Sequence, residues 1–197
     1  MWQEKLTFVV GRTCIHPAWG MPHFARVYET AQQLTAAENH PADDDVLLAA
    51  GYLHDIGAFE PYRLEGVDHA EQSAVACEEI LGAIGFPSEK ISLVQDAIRG
   101  HMFYSQPADE WEAIVLHDAD TLDFLGMVGI MRIFAIVGRD DWAPDLPSAV
   151  RRIQKFMQDL PGALHTETAR EWGEQRKGEM EEFLRKLADE TVNLTAL

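Results

Sequence analysis

Apolar residues recur at helical spacing along almost the whole chain, and the strict alternation that is typical of β-strands is hardly present. The first apolar stripe follows Pro22, and proline is favoured at the first position of a helix. The members of this stripe are Phe24, Val27, Tyr28, Ala31 and Leu34. The pattern therefore predicts an amphipathic helix that begins near residue 22.

A second predicted helix is apolar on nearly every side. Three consecutive aspartates, residues 43–45, supply a capping residue and favourable negative charge at its N-terminus. The apolar run continues through Leu53, and we expect Gly57 to end the helix. Because hardly any polar residue is available to face solvent, we expect this helix to lie at the centre of the fold.

Two more helices are predicted from their caps. Asp68 is a capping residue with Glu71 in the position of a capping box, and Gly85 is a typical helix end. Ser88 then precedes another apolar stripe, and continuing that stripe leads to His101. This periodicity again favours helices over strands.

The remaining chain predicts helices over residues 111–126, 127–137 and 166–190, with the longest loop at 138–147. No linker or repeat divides the chain. We therefore predict an all-α fold, one helical bundle that forms a single domain over residues 1–197. Its core is expected at about 20–138, and a C-terminal helical extension at about 148–190.

The composition is that of an ordinary globular protein, with 47% hydrophobic and 25% charged residues, which argues against disorder and fibrous architecture. The formal charge of −17 repels nucleic acids and anionic membranes, and we expect neither as a partner. Cys14 and Cys77 cannot form a disulfide framework. There is no apolar signal segment, and no apolar run approaches the roughly 20 residues of a membrane helix. We therefore expect a soluble, cytoplasmic protein.

A histidine and an aspartate, His54 and Asp55, lie side by side at the end of the predicted central helix. Burying both is costly unless a partner neutralises them, and a divalent metal ion does this well. The dipeptide alone is weak evidence, because His117 and Asp118 form a second one in the same sequence. His23, at the start of the first core helix, is explained equally well as a residue that covers the helix end.

Three aspartates, Asp118, Asp120 and Asp123, fall within one apolar predicted helix, where unpaired carboxylates are expensive. Residues two apart on a helix point about 200° apart, so Asp118 and Asp120 cannot both face one ion. Asp120 and Asp123 share a face. We expect one of the three to bind a metal and the others to cap, bridge or orient, and periodicity does not choose between them.

Two further histidines are candidates for the same site. Taken singly, His69 after the capping Asp68 and His101 on an apolar stripe are better explained as a capped helix end and a core histidine. Together with His54 and Asp55 they could line one pocket. Such a mixture of nitrogen and oxygen ligands suits Mn, Fe, Co, Ni or Zn, whereas an all-oxygen site favours Mg or Ca.

The order His23, His54-Asp55 and Asp120 resembles the ligand pattern of the HD-domain superfamily of metal-dependent phosphohydrolases. The resemblance implies a helical bundle with a metal site at its centre. It also implies that these four residues hold a divalent transition metal ion.

Two segments carry the resemblance further. Residues 53–57, Leu-His-Asp-Ile-Gly, resemble the central signature of the family. Residues 118–123, Asp-Ala-Asp-Thr-Leu-Asp, resemble its Ala-Asp-Arg/Lys-Leu segment. This similarity implies that Asp120 is the ligand and that Asp118 and Asp123 occupy supporting places.

Departures from the family pattern bear on mechanism. Many nucleotidase members carry a glutamate shortly after the dyad as general base, whereas here Glu60 comes late, after residues 56–59. Thr121 replaces the basic residue usual after the aspartate. Some members bind a second metal through two extra histidines, and His69 and His101 occupy that order. We favour one ion, with these two histidines beside the substrate as catalytic groups.

Residues 126–138 and 166–187, with Arg170 and Arg176, resemble a small bacterial subgroup that acts on nucleotides. The resemblance therefore implies hydrolysis of a phosphoester or phosphoanhydride in a small phosphorylated molecule, a nucleotide above all. A di-iron oxygenase that uses all six ligands and a catalytically silent nucleotide-binding module stay open as alternatives, as does a homodimer. Candidate phosphate partners, each explained more simply as a solvated surface charge, are Arg26, Arg63, Lys90 and Arg99.

Overall fold

The computed structural model describes residues 1–194, and all regular secondary structure in that part of the chain is helical, which confirms the all-α prediction. None of the described helices is both long and apolar enough to cross a bilayer. Short 3₁₀ turns occupy Ile56–Ala58, Ser88–Lys90 and Leu160–Ala163. The α-helices are α1 (Trp2–Thr13), α2 (Met21–Ala37), α3 (Asp44–Leu53), α4 (His69–Ile84), α5 (Ile91–Arg99), α6 (Trp111–Asp123), α7 (Gly126–Ala135), α8 (Leu146–Asp159) and α9 (Glu167–Glu190).

The central helix predicted from its apolar composition is α3. It packs against α1, α2, α4, α5 and α6. Its N-terminus is capped by Asp43, whose carboxylate accepts hydrogen bonds from the amides of Asp45 and Val46. Neighbours on several sides explain why this helix needs almost no polar face.

The end of α3 differs from the prediction, because the helix stops at Leu53 rather than at Gly57. Beyond it the chain turns away through the 3₁₀ turn Ile56–Ala58. His54 Nδ1 lies 2.9 Å from the carbonyl oxygen of Gly51, so the side chain that follows the helix binds its last turn. The His-Asp dyad therefore lies at a change of chain direction.

Gly57 lies directly against the first turns of α4. Its amide donates to Ser73 Oγ at 2.8 Å. A Cβ atom at this position would overlap backbone atoms of His69 and Ser73. The missing side chain therefore allows α4 to approach the dyad turn, and this approach brings His69 next to the dyad.

The predicted bounds of α4 are confirmed. Asp68 caps the helix by accepting from the amide of Ala70 at 2.8 Å, and Gly85 ends it in the left-handed conformation with φ of +83°. The predicted capping box does not form, because Glu71 instead binds Arg99 Nε at 3.0 Å.

The pattern did not predict α1, whereas α8 lies almost wholly in the helical extension predicted at about 148–190. α1 fully buries Leu6 and Val10 and packs on α3 and α4. α8 begins at Leu146 and so shortens the predicted loop; it packs on α7 and α9 through buried residues that repeat at helical spacing, namely Ala149, Val150, Ile153 and Phe156.

Replacing Gly57 with alanine is expected to lower the free energy of unfolding by about 1–3 kcal/mol, because the new methyl group overlaps backbone atoms that cannot move independently. Thermal denaturation measures the change. The matched control is Gly82→Ala in α4, where a Cβ meets nothing within 4 Å. Removing this helical glycine is expected to raise stability by about 0.5–1 kcal/mol. Equal stability of the two variants would show that the close packing at Gly57 is unimportant.

Candidate metal centre

The four side chains proposed as metal ligands lie together in the interior. His23 comes from α2, His54 and Asp55 from the turn that follows α3, and Asp120 from α6. The side chains of His23, His54 and Asp120 are at most 2% exposed. Three separate segments of the chain thus supply one cluster.

The ligand atoms of this cluster lie close to the separations found around a single ion. His23 Nε2 is 3.0 Å from His54 Nε2 and 3.4 Å from Asp120 Oδ1. Asp55 Oδ2 is 3.6 Å from both Nε2 atoms, and Asp120 Oδ1 is 3.8 Å from His54 Nε2. Ligands about 2.1 Å from one ion are about 2.9–3.4 Å apart when they are adjacent. The longer separations in the cluster are slightly wider than that, and His23, His54 and Asp120 together form one set of side chains that could hold an ion.

Hydrogen bonds fix which nitrogen of each ring carries a proton. His23 Nδ1 lies 2.7 Å from Asp123 Oδ2, and His54 Nδ1 faces the carbonyl oxygen of Gly51; both partners are acceptors. In neutral rings the two Nε2 atoms are therefore bare lone pairs that face each other at 3.0 Å. Such an arrangement is repulsive without a positive charge between the rings. Asp120 Oδ2 also has no hydrogen-bond partner within residues 1–194, so the donor set fits a divalent metal ion.

Burial and neighbouring charges set the protonation of these groups. Burial lowers the pKa of His54 well below its ordinary value and raises the pKa of Asp120. Burial also acts to raise the pKa of Asp55, but the surrounding imidazoles outweigh it and hold that pKa well below the usual value. A neutral imidazole and an ionised carboxylate are the forms that bind a metal.

Asp55 presents its other oxygen, Oδ1, to two further histidines. His69 Nε2 lies 3.2 Å from it and His101 Nε2 lies 3.3 Å from it. His101 Nδ1 donates to the carbonyl oxygen of Ile98 at 2.6 Å, so its Nε2 is bare, and no hydrogen-bond partner for it is present in the described part of the chain. All six residues of the expected histidine and aspartate set are thus in one place.

The three aspartates of α6 contact different partners. Asp118 accepts the backbone amides of His165 and Thr166, both at 2.8 Å, and fixes the chain where α9 begins. His117 donates a hydrogen bond from Nδ1 to the carbonyl oxygen of Gly100 at 2.8 Å. The second His-Asp dipeptide therefore contributes to the packing of the chain rather than to the cluster. Only Asp120 among the three faces the bare imidazole nitrogens.

Asp123 binds Nδ1 of His23, the ring nitrogen on the side away from His54. Its Oδ2 accepts from His23 Nδ1 at 2.7 Å and from Arg132 Nη1 at 2.8 Å, and Arg26 donates to both of its oxygens. Burial acts to raise the pKa of Asp123, but these donors hold it far below its ordinary value. Asp123 is therefore a permanent anion behind a ligand ring. Sequence reasoning did not include Arg132, although it is the single charged residue of the apolar helix α7.

Of the four basic residues proposed as phosphate partners, Arg63 is the one that lines the cleft beside the cluster. Arg26 is engaged by Asp123. The other two form ion pairs on the surface, Lys90 with Asp43 and Asp45, and Arg99 with Glu71 and Asp96.

A cavity of about 170 Å³ opens beside Asp55 and His69. Next to it lies a wider cleft of about 650 Å³ that includes His69 and Arg63. The sequence pattern did not mark the cavity, because its walls come from separate segments that each look like ordinary core. The apolar and aromatic wall consists of Trp19, Ala58, Met102, Phe124 and Trp142.

The family model of the HD domain matches residues 21–125, just over half of the chain. The chain belongs to the HD-domain family. The matched range contains the proposed ligands from His23 to Asp120, together with His69 and His101. None of the curated proteins gives a significant match to the sequence.

Solved structures resemble this HD protein over nearly its full length. A predicted HD superfamily hydrolase from an uncultured Thermotogales bacterium is 28% identical with a TM-score of 0.66, covering 96% of this chain and 90% of that chain. Bacillus subtilis YpgQ in complex with ADP is 25% identical with a TM-score of 0.71, and the match covers 96% of this chain and 97% of YpgQ. An HD-superfamily hydrolase from Bacillus thuringiensis is 23% identical with a TM-score of 0.67, and the match covers 96% of this chain and 95% of that chain. At this identity the similarity shows only that the two proteins share a fold.

Family and geometry agree at a general level. HD domains bind divalent metals, and this HD domain has a histidine and aspartate cluster that could hold one. Membership of the HD-domain family, together with the 28% identical predicted HD superfamily hydrolase, supports a metal-dependent phosphohydrolase in general terms.

Asp120→Ala is expected to lose bound metal, with at least a 10-fold weaker affinity, because it removes a carboxylate that faces both bare nitrogens. Elemental analysis after dialysis against limiting Zn²⁺ gives the metal content per chain. Asp118→Ala is the matched control in the same helix, since Asp118 is equally buried. It is expected to keep its metal and to lose about 1–3 kcal/mol of stability, because two amides lose their acceptor. Metal loss in the Asp118 variant alone would reverse this assignment.

Proposed function

We propose that this HD protein hydrolyses a phosphoester or phosphoanhydride bond of a nucleotide with one divalent transition metal ion. One observation carries the proposal: a buried cluster of bare imidazole nitrogens and carboxylate oxygens opens through Asp55 and His69 into an aromatic cavity. A metal site and a pocket for the organic part of a substrate are therefore adjacent.

The ligands in this proposal are His23, His54, Asp55 and Asp120. Their mixture of nitrogen and oxygen donors suits Mn, Fe, Co, Ni or Zn. An ion held by these residues would lower the pKa of a water molecule and would offset negative charge developing on phosphorus. Asp55, whose side chain is 13% exposed, is the ligand that borders the cavity, so the substrate approaches from its side.

His69 is the side chain best placed to move a proton. Burial acts to lower its pKa, but the hydrogen bond to Asp55 raises it above the ordinary value. Its ring lines the cavity and the cleft and is 25% exposed. We assign to it the donation of a proton to the leaving oxygen or of a hydrogen bond to a phosphate oxygen. His101 is fully buried against the His69 ring, where it supports Asp55 and His69.

The family's general-base glutamate has no counterpart at residues 56–59. Glu60 follows them but does not line the cavity or the cleft. Asp55, His69 and Asp140 are the titratable groups that line the cavity, and of these Asp55 and His69 belong to the dyad region.

The aromatic cavity supports a nucleotide as the substrate. Trp19, Phe124 and Trp142 pack on one another with ring centroids 5.6–6.1 Å apart. Stacking on aromatic rings stabilises a bound base by about 1–3 kcal/mol. The presence of ADP in the similar Bacillus subtilis YpgQ supports the same class of ligand for this chain.

Arg63 supports an anionic substrate. It is exposed, lines the wide cleft, and forms no ion pair with a described residue. A chain with a net charge of −17 needs local positive charge to admit a phosphate group.

A two-ion centre is the second candidate, and the bare His101 Nε2 beside Asp55 Oδ1 favours it. Asp55 then offers one oxygen to each set of histidines. Elemental analysis separates the cases: one metal per chain supports the single-ion site. Two irons per chain with oxygen consumption would indicate an oxygenase instead.

Full-length protein loaded with Mn²⁺, Co²⁺ or Zn²⁺ is expected to release phosphate or pyrophosphate from at least one nucleotide in a panel of mono-, di- and triphosphates. Phosphate detection and chromatography of the products measure the reaction. His54→Ala is expected to lower the rate more than 100-fold, because it removes a ligand that is fully buried. A nucleotide that raises the melting temperature of the loaded protein without being consumed would indicate a binding module.

Arg63→Gln is expected to raise KM for the hydrolysed nucleotide about 10-fold with little change in kcat, since a hydrogen bond from a charged donor contributes about 1.5–3 kcal/mol. Steady-state kinetics measure both constants. Arg185→Gln is the matched control, because this exposed arginine pairs with Asp189 on α9. An unchanged KM in the Arg63 variant would exclude that residue as a phosphate partner.

A further inference from the structure

Arg132 is a buried cation that the proposed chemistry does not use. It lies on α7, its side chain is only 4% exposed, and its Nη2 has no hydrogen-bond partner within residues 1–194. Removing such an ion from water costs several kcal/mol unless its contacts offset the loss. Its contacts therefore indicate what the residue stabilises.

These contacts hold the guanidinium group in one place and one plane. Its Nε donates to the carbonyl oxygen of Ala18 at 3.0 Å, and its Nη1 donates to Asp123 Oδ2 at 2.8 Å. Its Cζ lies 4.9 Å from the ring centroid of Trp19 and 4.3 Å from that of Phe124. Two hydrogen bonds and two rings together fix the direction in which Nη1 donates.

Arg132 and His23 meet at one oxygen atom. Asp123 Oδ2 accepts from His23 Nδ1 at 2.7 Å and from Arg132 Nη1 at 2.8 Å. A carboxylate behind a metal-binding imidazole sets the orientation of the ring and its basicity. Because Arg132 holds this carboxylate, it also determines where His23 Nε2 points.

Arg26 binds the same carboxylate from a position that is more exposed to solvent. Its side chain is 34% exposed, against 4% for Arg132. Solvent weakens the attraction between exposed charges, whereas buried charges keep most of it. Arg26 donates to both oxygens of Asp123 from a partly exposed position, and Arg132 donates to Oδ2 from the interior, so both arginines constrain the carboxylate and Arg132 is the one that solvent screens least.

We propose that Arg132 is a positioning residue of the metal centre, which acts through Asp123 to hold His23 in the orientation that binds the ion. This inference rests on the proposed role of His23 as a ligand. Lysine in its place keeps the charge but loses the planar group that donates in two fixed directions.

The test is the Zn²⁺ affinity of full-length Arg132→Lys, measured by competition with a chromogenic chelator on protein shown to be folded by circular dichroism. The expected affinity is about 10- to 100-fold weaker than that of the wild type. Arg152→Lys is the matched control, because its guanidinium lies over Trp142 and Phe156 and does not contact Asp123. It is expected to bind Zn²⁺ as the wild type does. A wild-type affinity in Arg132→Lys overturns the inference.

A double-mutant cycle separates positioning from a general loss of stability. If Arg132 acts through Asp123, the lysine change has little further effect on Zn²⁺ affinity in an Asp123→Asn background. Equal weakening in both backgrounds overturns the inference. If Arg132→Lys does not fold, Arg132→Gln, which keeps a planar donor, takes its place in the cycle.

His23→Ala separates failure of this inference from failure of the proposed function. Wild-type Zn²⁺ affinity in His23→Ala shows that His23 is not a ligand and overturns both. Weak binding by His23→Ala together with normal binding by Arg132→Lys overturns the role of Arg132 alone.

Discussion

Two imidazole nitrogens that face each other at 3.0 Å in the interior are the constraint on which this site depends. His23 and His54 each donate Nδ1 to a fixed acceptor, so their Nε2 lone pairs meet at 3.0 Å. Asp55 and Asp120 add carboxylate oxygens to the same space. Lone pairs and anions collected in a buried volume repel one another, and a cation turns that repulsion into attraction. The arrangement therefore favours positive charge at the centre of the cluster, and a divalent ion fits the donor set.

The fold supports this cluster from outside. One acceptor, the Gly51 carbonyl, belongs to the last turns of α3, and the other, Asp123, ends α6. Asp123 keeps its charge in the interior because His23, Arg26 and Arg132 all donate to it. Helix packing therefore fixes the orientation of the His23 and His54 rings, which is the kind of support that makes a metal site rigid.

Local patterns predicted the helices well where polar and apolar positions alternate around an axis, as in α2 and α4. They failed at the end of α3, because the close contact of Gly57 with α4 is tertiary. The different contacts of the aspartates on α6 were likewise beyond what local patterns could predict. Periodicity put Asp118 and Asp120 on different faces but did not say which face met the histidines, and only the resemblance to a family selected Asp120. Asp118 instead binds amides before α9, a partner 47 residues away.

The cavity beside Asp55 and His69 shows why the remaining part of the candidate site could not be read from the sequence. Trp19 precedes α2, Phe124 follows α6 and Trp142 lies between α7 and α8, and each alone is an ordinary half-buried or buried aromatic residue. They form one wall because their rings pack on one another, and Arg132 packs against two of them. The same arginine binds Asp123, so a single buried charge joins the wall of the cavity to the support of the metal ligands. A pocket built in this way is a property of the helix arrangement rather than of any segment.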